Sequence, residues 1–334
     1  MYTMTKILLN KTLENKLTIN SAVDATAELI VETFETSPKS IKHITSHLAK
    51  VQGKATRTKL LLMSSLDREG FVPKEAVSAA AAVEILHLAT LVHDDIIDDA
   101  RIRRGQESIQ SKFGKKEAVI CGDYLFCMAF ASIAKIYEPY VKSIPKFASS
   151  IGKICLGELE QYSNNFNTNI TFYDYLKTIN GKTAALFHVS AHSGALIGGD
   201  TEKDIRNIAR FGSYFGMIFQ IIDDCKDYKF NEAQALKPTE SDIASGVINL
   251  PLLMAFFKEQ GLREKAKIIL KNGSEISTLI SDVHRLNGVE SSVEIAKKYV
   301  IKARKTLKNL DNIQKSEQLN KLLDNQLAVM DKFF

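Results

Sequence analysis

The chain has 334 residues, of which only 6 are proline and 17 glycine, while 45% are hydrophobic. Average chains hold about 5% proline and 7% glycine, and many-stranded sandwiches and barrels need turn residues every ten or so positions, so this stock is too small for them. The hydrophobic fraction excludes collagen-like and low-complexity disordered chains. A net charge of +5, from 44 basic and 39 acidic residues with no basic stripe, gives no reason to expect nucleic acid.

Length alone reads as roughly two domains. The proline-free runs, from Lys146 to Lys237 and again after Pro251, suit long helices instead. Cys121, Cys127, Cys155 and Cys225 form no C-x-x-C pair, so disulfides and cysteine zinc sites are not expected and a reducing compartment fits. Met1 to Lys16 has scattered charges and does not read as a signal peptide. The most apolar stretch, Val77 to Val92, is interrupted by Glu84 and His87 and is shorter than the ~20 residues of a bilayer span. A soluble, cytoplasmic protein without a transmembrane segment is the expectation.

Helix signals follow one another along the chain. Ser37-Pro38 and Pro73 read as helix starts. From Pro73 to about Asp99 an apolar helix passes through Ala79-Ala80-Ala81-Ala82, Leu86 and Thr90 and ends in Asp94, Asp95, Asp98 and Asp99. Thr171 with Asp174, and Thr201 with Asp204, resemble capping boxes with Asp in place of Glu. Gly198-Gly199 closes one helix before Thr201 opens the next. From Glu202 to Tyr228, the residues Ile205, Ile208, Gly212, Phe215, Phe219 and Ile222 recur at spacings of three and four, a seam facing a core. That seam ends at Asp223, Asp224 and Asp227. From Ile276 to Phe334 the pattern is charged, amphipathic and helical, with no chemical motif.

Two apolar helices thus end in the same spacing, D-D-x-x-D. On a helix, residues i and i+4 share a face, so Asp94 with Asp98, and Asp223 with Asp227, point the same way one turn apart. Such like-charge pairs destabilise a helix by about 0.2–0.5 kcal/mol each and call for a counter-charge. One cluster could be a solvated helix end; two with identical spacing read as oxygen-rich walls for a hard divalent cation. Mg²⁺ is typically bound by one or two carboxylates plus substrate phosphates. Basic residues bracket the clusters in order: Lys54 and Arg57, Arg103 and Arg104 before Gly105, Lys182 in Gly181-Lys182-Thr183, and Lys237 before Pro238. Each alone is an ordinary surface charge.

The full order is Gly53-Lys54-x-x-Arg57, His87, Asp94-Asp95-x-x-Asp98, Arg103-Arg104-Gly105, Gly181-Lys182-Thr183 and Phe219-Gln220-x-x-Asp223-Asp224-x-x-Asp227. It resembles the trans-isoprenyl diphosphate synthases, the polyprenyl synthetase family, over a motif-bearing core of about 50–255. The resemblance implies a single all-α domain over 1–334, a bundle of long helices around a central cavity, usually dimeric. It implies Mg²⁺-dependent condensation of an allylic diphosphate with isopentenyl diphosphate. Asp94, Asp98 and Asp223 are the implied metal ligands, with Asp95, Asp224, Asp227 and Lys182 completing the catalytic set. Arg103, Lys182, Thr183, Gln220 and Lys237 would hold the allylic diphosphate; Lys54, Arg57, His87 and Arg104 would hold isopentenyl diphosphate.

Two other readings fail on their residues. A P-loop needs glycine where Leu176 stands and a preceding strand. Glu84-x-x-His87 matches half of a di-iron site, which needs a second pair. Product length follows from geometry: a helix rises about 5.4 Å per turn, close to one extended isoprene unit. Ala89 and Thr90, one turn before the first Asp, are small, although alanine is also a good helix former. A product longer than geranylgeranyl is expected, with Tyr124, Phe126, Phe130 or Phe147 as a guess at the tunnel floor. Departures from the family pattern include Ala55 and Val247, which stand where cations are usual, and Leu236, which replaces the glycine before Lys237-Pro238. The alternatives are a short-chain farnesyl or geranylgeranyl synthase, a weakly active subunit of a heteromer, and, last, a terpene cyclase, which shares only the first motif.

Overall fold

The computed structural model describes residues 16–49, 53–136, 144–228 and 243–330. They are helical almost throughout, as the shortage of proline and glycine predicts. The chain divides into two compact units. The first combines the chain up to Val141 with His192–Ile205 and Asp311–Gln318; the second combines Lys142–Ala191, Arg206–Leu310 and Leu319–Phe334.

In the first unit run α1 (Ile19–Glu35), α2 (Lys39–Leu48), α3 (Thr56–Ser64), α4 (Lys74–Ile97), a hairpin of β1 (Ile102–Arg103) and β2 (Gln106–Glu107), α5 (Ile109–Phe113) and α6 (Lys115–Ile136). Pro38 and Pro73 sit one residue outside α2 and α4, where a fixed φ and a missing N–H cost nothing. α4 is the spine. Its buried Ala79, Ala80, Ala81 and Ala82 offer little bulk, and α1, α3 and α6 pack against it. α4 and α6 are both long and apolar enough to cross a bilayer, each with mean hydropathy 1.5, which corrects the sequence expectation that the Val77–Val92 stretch falls short. For α4, 67% of the apolar window is buried in the protein, as in a core helix. α6 leaves Val119, Ile120 and Phe130 exposed.

The carboxy-terminal segment holds a charge that the sequence pattern did not reveal. Lys315 is buried and pairs with Asp200. Nearby, the Asp204 carboxylate accepts the Asp311 N–H at 3.2 Å instead of bonding back to Thr201. The Thr201–Asp204 box is therefore half formed, whereas Thr171–Asp174 is complete.

In the second unit run α7 (Ile144–Asn164), α8 (Phe172–Ile179), a π turn (Asn180–Ala184), α11 (Leu250–Lys258), α12 (Gly261–Asn272), α13 (Ile276–Arg285) and α14 (Gly288–Leu307). It also holds parts of α9 (Ala185–Ile197), α10 (Glu202–Lys226) and α15 (Ile313–Met330). The predicted seam of α10 is buried at Ile208, Phe215 and Ile222, and Phe215 meets Phe187 edge-on at 5.4 Å.

Candidate active site

The first motif straddles the end of α4. Asp94 and Asp95 lie in the last turn and Asp98 is the C-cap. A helix carboxy terminus already carries partial negative charge, so it is the least favourable end for carboxylates. The three aspartates divide by orientation. Asp98 is exposed and Asp94 half-buried, while Asp95 turns inward. The Arg103 Nε donates to Asp95 Oδ1 at 2.6 Å, and its Nη2 pairs with the same oxygen. Burial raises the Asp95 carboxyl above its ordinary range, against the pull of Arg103 toward the ionised form. Asp99 pairs with Lys115 at 2.9 Å.

The chain then doubles back. Arg104 (φ 51°) and Gly105 (φ 79°) form the two-residue turn between β1 and β2, with both residues left-handed as a type I′ hairpin requires. Arg104 reaches the backbone of Gly53, where a Cβ would collide with its guanidinium. On the same unit, Arg57 Nη1 lies 3.2 Å from His87 Nε2. A guanidinium can only donate, so His87 accepts and is the neutral imidazole. Burial first, then Arg57, Arg104 and Arg103, hold His87 well below its ordinary range. The structure thus gathers Arg57, His87 and Arg104 into one cationic cradle, with Lys54 exposed just before α3. Ala55 sits at the N-cap of α3 with φ 50°, in the left-handed region.

Ala89 is buried and Thr90 half-buried on α4, and the Thr90 hydroxyl donates to the His87 carbonyl at 2.8 Å. Of the guessed floor residues, Phe126 stacks on His93 at 5.5 Å and Phe130 is exposed. Tyr124 is half-buried, and the Phe147 side chain lies outside the described residues.

The second motif ends α10 in the same way but is held differently. Asp223 is 50% exposed and pairs with Lys226 at 2.5 Å. Asp227 is half-buried. Asp224 is buried and accepts hydrogen bonds from Tyr175 Oη at 2.7 Å, Gln220 Nε2 at 2.8 Å and the Leu250 N–H at 3.3 Å. With its amide nitrogen committed to the carboxylate, Gln220 presents Oε1 to Thr183, whose hydroxyl donates to it at 2.6 Å. Burial and the Asp224 charge push the Tyr175 phenol well above its ordinary range, so it stays a donor.

Lys182 and Thr183 lie in the π turn, a rare geometry frequent at functional sites. Lys182 pairs with Glu158 of α7 at 2.9 Å. This contact depends on Gly157, because any Cβ there would run into the Lys182 backbone nitrogen. A small cleft lies behind the motif, lined among others by Gln161, Tyr175, Thr178, Asp224 and Asn249. Lys237, with Leu236 and Pro238, lies outside the described residues. Sequence reasoning missed Glu158, Tyr175 and the Leu250 N–H. Glycine inside a helix costs roughly 1 kcal/mol relative to alanine, so Gly157 beside Glu158 was the available signal for the first.

Among the described residues no three of His, Cys, Asp and Glu cluster to hold a metal ion by themselves. The available donors are carboxylates at helix ends, which fits a cation that completes its shell with phosphate oxygens and water. The family model described as "Polyprenyl synthetase" matches residues 38–287. The chain belongs to this family. It is a prenyltransferase, and the all-α expectation holds. Heptaprenyl diphosphate synthase component 2 of Bacillus subtilis is 31% identical over 294 residues, covering 87% of this chain and 83% of the relative. The crystal structure of heptaprenyl diphosphate synthase from Staphylococcus aureus superposes with a TM-score of 0.85 at 27% identity, covering 94% of this chain and 99% of that one. Geranylgeranyl pyrophosphate synthase from Lactobacillus brevis gives 0.83 at 29% identity, covering 93% and 97%.

Proposed function

We propose that this prenyltransferase is an Mg²⁺-dependent all-trans polyprenyl diphosphate synthase, a single catalytic domain that extends an allylic diphosphate by successive isopentenyl units past geranylgeranyl length. The observation that carries the reading is the pair of aspartate motifs at helix ends, each with one carboxylate buried and the others turned outward. Asp94, Asp98 and Asp223 hold the metal. Bound there, Mg²⁺ neutralises the diphosphate oxygens as a Lewis acid. Lys182, Arg103 and Lys237 add positive charge to the departing diphosphate, and Thr183 and Gln220 shape that wall. Asp227 completes the second motif. Arg57, His87, Arg104 and Lys54 bind the isopentenyl diphosphate, with neutral His87 held as a hydrogen-bonding group and not a charge.

Similarity does not choose the product, since heptaprenyl and geranylgeranyl enzymes match at comparable identity. The small Ala89 and Thr90 favour the longer one. The protein is read as cytoplasmic and homodimeric. A second reading, a subunit of a heteromeric synthase, is favoured by the name of the Bacillus subtilis relative, "component 2", and by the missing cations at Ala55 and Val247.

One incubation tests all of this: purified protein alone, Mg²⁺, farnesyl diphosphate and labelled isopentenyl diphosphate, with products resolved by length. Products beyond twenty carbons are expected. No incorporation with any allylic primer would sink the stand-alone enzyme in favour of the heteromeric subunit. Products stopping at fifteen or twenty carbons would sink the open-tunnel argument.

A further inference from the structure

Asp224 stands in the middle of a metal-binding motif, yet its geometry is that of an anchor. It is 4% exposed, while Asp223, one residue earlier, has half of its side chain exposed. Three donors from three elements converge on it: Tyr175 from α8, Gln220 one turn earlier on α10, and the first N–H of α11. The last contact is a cap supplied from a distance. Asn249, the N-cap of α11, makes no side-chain capping bond, and its side chain instead accepts from the Tyr228 hydroxyl. A carboxylate at a helix amino terminus is stabilising, and Asp224 fills that place. Its Oδ1 also continues the line through Gln220 to Thr183, beside Lys182.

We propose that Tyr175 is a positioning residue that acts through Asp224: the phenol locks the middle carboxylate inward, and this fixes the end of α10 so that Asp223 and Asp227 face the metal. Nothing in Tyr175 touches the reacting atoms. Its hydroxyl registers α8, the π turn, α10 and the start of α11 on one buried oxygen pair. The inference rests on the metal role proposed above for Asp223.

The test compares Tyr175→Phe, Asp224→Asn and Asp223→Asn. The first readout is binding of Mn²⁺ with inorganic pyrophosphate to the free protein, followed by electron paramagnetic resonance. Asp223→Asn should weaken it at least a hundredfold. Tyr175→Phe and Asp224→Asn should weaken it about three- to tenfold, with the fold retained and only a small drop in the unfolding midpoint. In kinetics, Tyr175→Phe should raise the KM for the allylic diphosphate and the metal concentration for half-activity, and leave the KM for isopentenyl diphosphate unchanged. A general loss of packing would move all of these together. The second readout is hydrogen exchange at residues 224–228 and 250–253 without any ligand, which should quicken in Tyr175→Phe. Exchange unchanged there overturns the proposal whatever the assays say. Asp224→Asn as damaging to Mn²⁺ binding as Asp223→Asn, with Tyr175→Phe silent, overturns it in favour of Asp224 as a ligand. A parent protein that binds no Mn²⁺–pyrophosphate, with exchange quickened in the variant, removes the metal reading of the motif and leaves the anchor standing.

Discussion

The two aspartate motifs have identical spacing and opposite support. Each buries its middle carboxylate at a helix end, but Asp95 is held by a guanidinium and Asp224 by a phenol, an amide and a backbone N–H. Around the first motif cations are dense: Arg103 on Asp95, Lys115 on Asp99, and Arg57 with Arg104 around His87. Around the second, a phenol, an amide and a backbone N–H donate to Asp224, while Lys226 pairs with Asp223 and Lys182 with Glu158. Among the described residues a guanidinium holds one middle carboxylate and neutral donors converge on the other, so a shared pattern does not mean a shared way of being held.

The largest effect tests what the motifs have in common. If the outward carboxylates carry the metal, Asp94→Ala and Asp223→Ala should each lower kcat/KM by roughly a thousandfold, the scale of losing a preorganised electrostatic group in an active site. Helix content by circular dichroism should not change. Activity near the parent level in either variant would remove that aspartate from the metal set and leave the two motifs functionally unequal.

A smaller effect tests the difference between the anchors. Arg103→Met leaves a buried carboxylate without its counter-charge and should lower unfolding stability by about 2 kcal/mol, within the range for a hydrogen bond to a charged group. Tyr175→Phe removes one donor from Asp224 and should lower it by about 1 kcal/mol. Urea denaturation of both variants measures the gap. A phenol removal as damaging as the arginine removal would erase the contrast.

Much of this was legible in the sequence, for identifiable reasons. Long proline-free runs gave helices, the three-and-four spacing gave the buried seam of α10, and D-D-x-x-D at the end of each seam gave the candidate site. These features are local, because they depend on residues within a turn or two of one another. What escaped notice depends on partners distant in sequence. Tyr175 reaches Asp224 across 49 positions, and Lys315 reaches Asp200 across 115. Lys315 lay in a stretch whose pattern reads as a solvated face, and only the packing of that segment turns it inward. The half-formed Thr201–Asp204 box is of the same kind, since Asp204 found the Asp311 N–H instead of its own helix start.

The smallest effect belongs to the cation-dense side and separates it from the other by pH. His87 is held neutral by burial and by Arg57, Arg104 and Arg103, so its folded pKa lies well below that of the unfolded chain, near 6.5. Below about pH 6.5 the unfolded chain therefore binds a proton that the folded protein refuses. The contribution of His87 to stability is complete above that pH and is lost as pH falls through it, with a slope of at most about 1.4 kcal/mol per pH unit. Unfolding free energies measured at pH 5.5 and 7.0 should fall more steeply for the parent than for His87→Gln, which keeps an acceptor for Arg57 and has nothing to protonate. Parallel curves for the two proteins would mean that His87 takes up its proton in the folded state and that the cradle carries one more positive charge than the geometry assigns it.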